Sequence, residues 1–376
     1  MRRRQSVILK GMGSKLLRAG VIGTGWWAEL EHLPGLQSRP DVEVTALCGR
    51  NAERLATLAD KFGVPDRFTD WRELIARGGL DLAVIVTPTA LHHPIALAAL
   101  QSGLHVICEK PLAMDAAQAR ELADAAKAAK RATLTFFTYR AIAAAAQMKR
   151  LVAEGFLGRQ VQANAMYFSA SHLKEGKPAS WRMRRAEAGT GVLGDIGSHL
   201  IDLVRWWLGD FARVSGQWQT VTRERPGGTV DGDESCSFLA ELDSGVQCVV
   251  HASKLVAGRG NFQRIELFGD RGSLIYEAEP GVDPHWMGRL WAGRPDRPGL
   301  MPVPLPADLT NGLDAADNQA GRNEAWRRLA EPFFAAIHGG GASSPDFTDG
   351  AAAQEVIDAV AKSAEQRRWV DVGPAP

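Results

Sequence analysis

Residues 19–28 read Ala19-Gly20-Val21-Ile22-Gly23-Thr24-Gly25-Trp26-Trp27-Ala28. A short apolar run ends in the pattern G-x-G-x-x-A, and a helix-compatible stretch continues to Pro34. Two glycines alone mark many turns, including turns that hold no ligand. Set between a strand and a helix, the same pattern becomes a dinucleotide fingerprint. Gly23 makes the tight turn, Gly25 lets the backbone approach a pyrophosphate, and Ala28 permits close helix–strand packing. Trp26 and Trp27 open the helix, whose first N–H groups and positive dipole end attract phosphate, and are counted with the glycines as cofactor-binding.

The flanking chain repeats this alternation. Val42 to Leu47 reads as a second strand, and Ala52 to Phe62 as a helix stopped by Gly63. Leu80 to Val86 is a nearly continuous apolar run, as expected of a parallel strand buried on both faces. A helix from Ile95 to Ser102, a strand His105 to Cys108, an alanine-rich helix from about Asp115 to Lys130 and a strand Ala132 to Tyr139 follow. Alternation of this kind means βαβ units in a doubly wound parallel sheet, with ligands outside the carboxyl ends of the strands.

After Arg140 the texture changes. A helix (about Ala143 to Glu154) precedes strand-like runs at 161–169, 214–222, 235–242, 247–255, 264–268 and 273–277, several joined by short turns, which favours an antiparallel sheet. One helix, Asp195 to Leu208, interrupts them. Residues 279–322, rich in Pro and Gly, read as a loop-dominated excursion, and two helices, about 323–337 and 350–368, close the chain. The expected fold class is α/β: a Rossmann sheet over 17–138, then an α+β substrate-binding and oligomerisation domain over 139–376 whose last helices pack partly back on the first. Residues 1–16 read as an extension ahead of the fold.

The 376-residue length allows two or three domains, each with its own core. Composition excludes wholesale disorder, with 45% hydrophobic and 23% charged residues. The formal charge of +1 offers no broad footprint for nucleic acid or an anionic membrane. Four scattered cysteines without a CxxC pair argue against a disulfide framework or zinc finger and fit a reducing compartment. No apolar run approaches the roughly 18–20 residues of a membrane span. The opening Met1-Arg2-Arg3-Arg4 resembles a twin-arginine export signal, but its apolar stretch is only Val7 to Leu9 and no cleavage site follows. Met12 is an alternative start, and a cytoplasmic location is expected.

Three further groups carry chemistry. At the end of the second strand stands Cys48-Gly49-Arg50-Asn51, where an NAD site normally has Asp or Glu for the ribose hydroxyls. Arg50 can meet a 2′-phosphate, which favours NADP over NAD, or it can stack on adenine and accept either. Thr87-Pro88-Thr89-Ala90-Leu91-His92-His93 and Glu109-Lys110-Pro111 end parallel strands at the ligand edge. A partly desolvated Lys110 has a lowered pKa that suits proton or alkoxide chemistry, against the plain alternative of a solvated loop lysine. In Gly194-Asp195-Ile196-Gly197-Ser198-His199-Leu200-Ile201-Asp202, an α-helix would put Asp195, His199 and Asp202 on one face. A carboxylate beside an imidazole fixes its tautomer, as a general base requires. A structural His–Asp contact is the bland alternative, and a metal pair lacks a third ligand at suitable spacing.

These motifs, in this order, resemble the glucose-fructose oxidoreductase / inositol dehydrogenase / rhizopine catabolism (Gfo/Idh/MocA) family, from Gly20 to the final helix. The resemblance implies an NAD(P)-dependent oxidoreductase acting on one carbon of a sugar, inositol or polyol, with an open C-terminal sheet used for homo-oligomerisation, as a dimer or tetramer. By motif, Gly23, Gly25 and Ala28 would bind pyrophosphate and Arg50 would sit at the adenosine ribose. Thr87, Pro88 and His92 would line the cofactor cleft, and Glu109 would hold the nicotinamide ribose. Lys110 would be catalytic, with Pro111 in a cis peptide. His199 would be the acid/base, oriented by Asp195 unless that carboxylate grips a substrate hydroxyl. Trp181-Arg182 match a pair near the substrate pocket, to which Tyr139, Tyr167 and the 279–300 region with His285 and Trp286 add lining. Thr138-Tyr139-Arg140 departs from the family's Asn-x-Arg. An NAD-dependent glycosidase and a non-catalytic dinucleotide-sensing regulator share the fingerprint and are the alternative functions.

Overall fold

Apolar runs that cannot face water on either side must stack between helices, and the first sheet does so. The computed structural model describes residues 16–279, 286–313 and 318–373. Strands β1 (Leu17–Ile22), β2 (Val42–Cys48), β3 (Asp66–Phe68), β4 (Leu82–Ile85), β5 (His105–Cys108) and β6 (Thr133–Thr135) pair in the order β3-β2-β1-β4-β5-β6. Every pairing in this sheet is parallel. All four residues of β4 are completely buried. The order reverses between β1 and β4, so a crevice opens beyond their carboxyl ends. Asn51 caps the helix Ala52–Phe62 by accepting the Arg54 N–H at 2.9 Å, and Gly63 ends it.

The second sheet gathers β7 (Gln160–Phe168), β8 (Phe211–Gln219), β11 (Ser235–Leu242), β12 (Gln247–Ser253), β13 (Phe262–Gly269), β14 (Ser273–Ala278), β15 (Arg289–Arg294), β16 (Arg297–Pro302) and β17 (Val370–Asp371). A two-residue hairpin, β9 (Glu224–Arg225) with β10 (Gly228–Thr229), stands apart. The nine strands run β16-β15-β14-β13-β7-β12-β11-β8-β17. All neighbours are antiparallel except β7 and β12, which are parallel at the centre. Part of 279–322, expected as loop, is the β15–β16 edge hairpin. Its sequence hides it, because an outer strand tolerates Pro298 and Pro302 and keeps its residues exposed.

One face of this sheet packs on the helix Ser198–Leu208 through Leu200, Ile201, Leu203 and Val204, all buried. On the other face Leu239 and Val249, cross-strand partners, stay exposed. The helix Phe347–Gln366 lies against both β8 and the helix Ala116–Ala129, tying the two sheets together. Arg140 adds a buried tie: its guanidinium donates to both carboxylate oxygens of Asp202, at 2.9 and 2.6 Å, and to Asp349 at 3.2 Å. No helix among the described residues is long and apolar enough to cross a membrane. The opening extension through residue 15, and His285, lie outside the described residues.

Candidate active site

The switch point of the first sheet and the near edge of the second enclose one cleft of about 940 Å³. Gly23, Thr24, Gly25, Trp26, Trp27, Arg50, Thr87, Pro88, Glu109, Lys110, Tyr139, Trp181, Arg182, Asp195 and His199 all line it, so residues up to 176 positions apart in sequence meet around one space.

Its floor fits a diphosphate. Gly23 has φ +126°, and a Cβ there would strike the Val86 carbonyl oxygen at 2.2 Å, so only glycine makes this turn. A Cβ on Gly25 would meet nothing within 4 Å, which leaves its backbone open to a ligand. Ala28 is buried, as close helix–strand packing requires. At the adenosine end Arg50 lies exposed at the rim, joined by Asp70, Trp71 and Arg72 from the end of β3. Arg72 stacks on Trp71 at 4.3 Å, and Asp70 accepts the Arg72 N–H at 2.9 Å. Sequence reasoning missed this cluster because β3 is only three residues long and carries no hydrophobic period.

Glu109 is 8% exposed and firmly held. Its Oε1 accepts from Trp27 Nε1 at 2.8 Å and from His32 Nε2 at 2.9 Å, while Trp326 Nε1 faces His32 Nδ1 at 3.5 Å. Burial pushes its carboxyl up, but His32, Lys110 and Trp27 together hold it below its ordinary value. The Lys110–Pro111 peptide is cis, as expected. His92 does not reach the cleft, contrary to expectation. At 1% exposure, its Nδ1 faces the Pro111 carbonyl oxygen at 2.8 Å and its Nε2 that of Thr87 at 3.0 Å, so it fastens the ends of β4 and β5 from behind.

Lys110 meets Asp195, hydrogen-bonding both its main-chain oxygen and, at 3.2 Å, its Oδ1. Burial lowers the Lys110 pKa, against the pull of Asp195 and Glu109. Asp195 does not orient His199. Its second oxygen accepts from Lys254, and Arg182 approaches at 3.5 Å, so three cations hold this carboxylate well below its ordinary pKa against the cost of burial. The cause is local winding: Leu193–Gly197 is a π-turn, whose wider coil removes Asp195 from the α-helical i, i+4 register. Asp202 also turns away, to Arg140.

His199 is instead wedged among aromatic rings, with centroids 4.4 Å from Tyr139 and 6.3 Å from Phe137. Its Nδ1 is buried with no hydrogen-bond partner among the described residues. Burial first, and then the Lys110 charge, press its pKa well below 6.5, so the imidazole stays neutral at physiological pH. Tyr139 and Tyr167 share a hydroxyl hydrogen bond of 2.6 Å beside it. Lys254, Lys177, His172 and Asn261 also line this end and were not anticipated, since nothing near them in sequence marks a site. Trp286 lies in a smaller recess next door with Trp27 and Arg322.

Residues 17–137 match the NAD-binding Rossmann domain of the Gfo/Idh/MocA oxidoreductase family, and residues 145–275 match a Gfo/Idh/MocA C-terminal domain. The chain belongs to this family. Levoglucosan dehydrogenase of Pseudarthrobacter phenanthrenivorans is 31% identical over 95% of this chain and 98% of that protein. The 1,5-anhydro-D-fructose reductase of Ensifer adhaerens is 35% identical over 51% of this chain and 57% of its own. A solved levoglucosan dehydrogenase in complex with NADH and levoglucosan superposes with a TM-score of 0.86 at 30% identity, covering 95% of this chain and all of that one. An oxidoreductase domain protein from Kribbella flavida gives 0.85 at 32% identity, over 96% of this chain and all of its own. As a Gfo/Idh/MocA member the protein is an NAD(P)-dependent oxidoreductase.

Proposed function

We propose that the protein transfers hydride between a nicotinamide dinucleotide and one hydroxyl-bearing carbon of a sugar or related polyol. The observation that carries this reading is the convergence of the Gly23–Gly25 turn with Lys110 and His199 in one cleft. The sugar names of the similar levoglucosan dehydrogenase and 1,5-anhydro-D-fructose reductase support the substrate class. When bound, the dinucleotide supplies the hydride acceptor or donor.

The chain supplies position and charge. Gly23 and Gly25 admit the pyrophosphate, with Trp26, Trp27, Thr87 and Pro88 as walls. Glu109, preset by Trp27 and His32, receives the ribose hydroxyls next to the nicotinamide. In the oxidative direction the neutral His199 takes the hydroxyl proton, and the Lys110 ammonium stabilises charge growing on that oxygen. Asp195 holds Lys110 in place, and Tyr139, Trp181 and Arg182 line the substrate side. At the other end Arg50 and Arg72 fit a 2′-phosphate, which makes NADP the favoured dinucleotide. The exposed Leu239 and Val249 support the open sheet face as the surface for a second copy, to be tested by light scattering.

The test is a panel of sugars, anhydrosugars and inositols with NAD and NADP, read by nicotinamide absorbance. Turnover with at least one sugar, and a higher kcat/KM with NADP, is expected. Saturable dinucleotide binding without turnover across the panel overturns the dehydrogenase reading, and a strong NAD preference overturns the role given to Arg50.

A further inference from the structure

The substrate end of the cleft is lined by four cationic side chains, Lys110, Lys177, Arg182 and Lys254, and by one carboxylate, Asp195. Glu109, the other acid nearby, is engaged with Trp27 and His32 on the cofactor side. Behind the wall the charges are already matched. Arg225 pairs with the buried Glu234 at 2.7 Å, and Asp233 accepts the Gly191 and Leu193 N–H groups at 2.6 and 2.8 Å. Asp195 therefore neutralises one of four cations, and the remaining positive charge faces the space where the substrate must lie.

The donors there are also underused. Lys177 gives one hydrogen bond, to the Ser171 carbonyl oxygen at 2.7 Å, although an ammonium carries three protons. Arg182, stacked on Trp181 at 4.3 Å, has Asp195 at 3.5 Å as its polar contact among the described residues. A stacked guanidinium is held flat and aimed, the geometry that suits a two-oxygen acceptor. The crowding also acts on neighbouring groups. Burial, helped by Lys254 and Lys177, drives the neighbouring His172 down to about 4. Burial, with Lys254 and Arg225, lowers Lys177 itself. A neutral sugar would leave this field unrelieved, and an oxidised nicotinamide, itself cationic, would add to it.

We propose that the substrate is an anionic sugar, whose carboxylate or phosphate oxygens sit between Arg182, Lys177 and Lys254 while the reacting carbinol lies against Lys110 and His199. This rests on the dehydrogenase reading above and narrows its substrate class. The group that would bind is an oxyanion, borne by a uronic acid or by a sugar phosphate.

The experiment compares matched pairs by calorimetry on the protein loaded with whichever of NADPH and NADH it binds more tightly: methyl glucoside against methyl glucuronide, methyl galactoside against methyl galacturonide, and glucose against glucose 6-phosphate. At least one acid is expected to bind tenfold or more tightly than its neutral partner, with the advantage shrinking as salt rises. In Lys177→Gln that acid should weaken about tenfold and its neutral partner less than threefold. An advantage confined to the uronides assigns a carboxylate, and one confined to the phosphate assigns a phosphoryl group. Equal or tighter binding of the neutral members, binding of none, or equal loss of both members in Lys177→Gln overturns the proposal. Oxidation of neutral sugars without acid preference overturns this inference and spares the dehydrogenase reading. Tight acid binding without turnover of any sugar does the reverse.

Discussion

Lys110 follows a strand of the first sheet, His199 sits on the helix Ser198–Leu208 beside the second, and both face one cleft, so each can be removed without dismantling the other's support. Lys110→Met leaves Asp195 bound to Lys254 and Arg182, and the fold should persist. Loss of its charge, or of the His199 imidazole in His199→Ala, is expected to lower kcat by about 10²–10⁴-fold, the usual worth of a positioned proton-transfer group. Binding of the reduced dinucleotide, NADPH or NADH, followed by fluorescence, should survive in both variants, and undiminished turnover in either contradicts its assigned role. Because burial and Lys110 depress the His199 pKa, a base at this position is already unprotonated at pH 6.5. The acid limb of kcat/KM for sugar oxidation should therefore lie well below that pH, and an inflection at 6.5 or higher would point to another group. Both residues were legible from their motifs. Their supporting partners were not, since Lys254 lies 59 positions from Asp195.

The short helix Thr138–Ala141 and the helix Ser198–Leu208 are clasped by Arg140 and Asp202, whose side chains are 5% and 1% exposed. Burying the pair is costly, but removing one partner strands the other without water. Arg140→Met is expected to reduce stability by about 3–5 kcal/mol in denaturant unfolding. Arg140→Met combined with Asp202→Leu should lose less, because no fully buried charge is left unpaired and Asp349, the other partner of Arg140, keeps access to water. Equal stability of Arg140→Met and the parent chain would show the clasp to be dispensable. The α-helical pattern alone assigned Asp202 to the His199 face. The ion pair with Arg140, 62 residues upstream, overrode it.

Among the described residues five histidines, His92, His105, His172, His199 and His251, stay below their ordinary pKa chiefly by burial. Unfolding releases them to an environment where they bind a proton below about pH 6.5. The unfolded chain then holds more protons than the folded one, so stability rises with pH across this window. Glu31 opposes the trend, because burial lifts it to about 8 and the folded chain binds that proton while the unfolded one does not. Burial lifts Asp202, Asp233 and Asp358 as well, but from the lower ordinary value of an aspartate, so the five histidines are expected to set the sign between pH 5.5 and 7.5. Tm should fall between pH 7.5 and pH 5.5 in scanning calorimetry, and an unchanged or higher Tm at pH 5.5 contradicts this.

The order and type of elements in the first sheet follow from short stretches of chain. Burial on two faces demands continuous apolar strands, a left-handed turn under a close neighbour demands glycine at 23, and helix ends demand caps such as Asn51. Each of these requirements acts over a few residues and is written where it acts. The edge hairpin at 289–302 escaped, because an outer strand facing water needs no apolar period. The partners of Asp195, the retreat of His92 behind the sheet and the cationic wall of Lys177, Arg182 and Lys254 were settled only by folding. Charges interact through space, and which ones become neighbours depends on how two sheets dock.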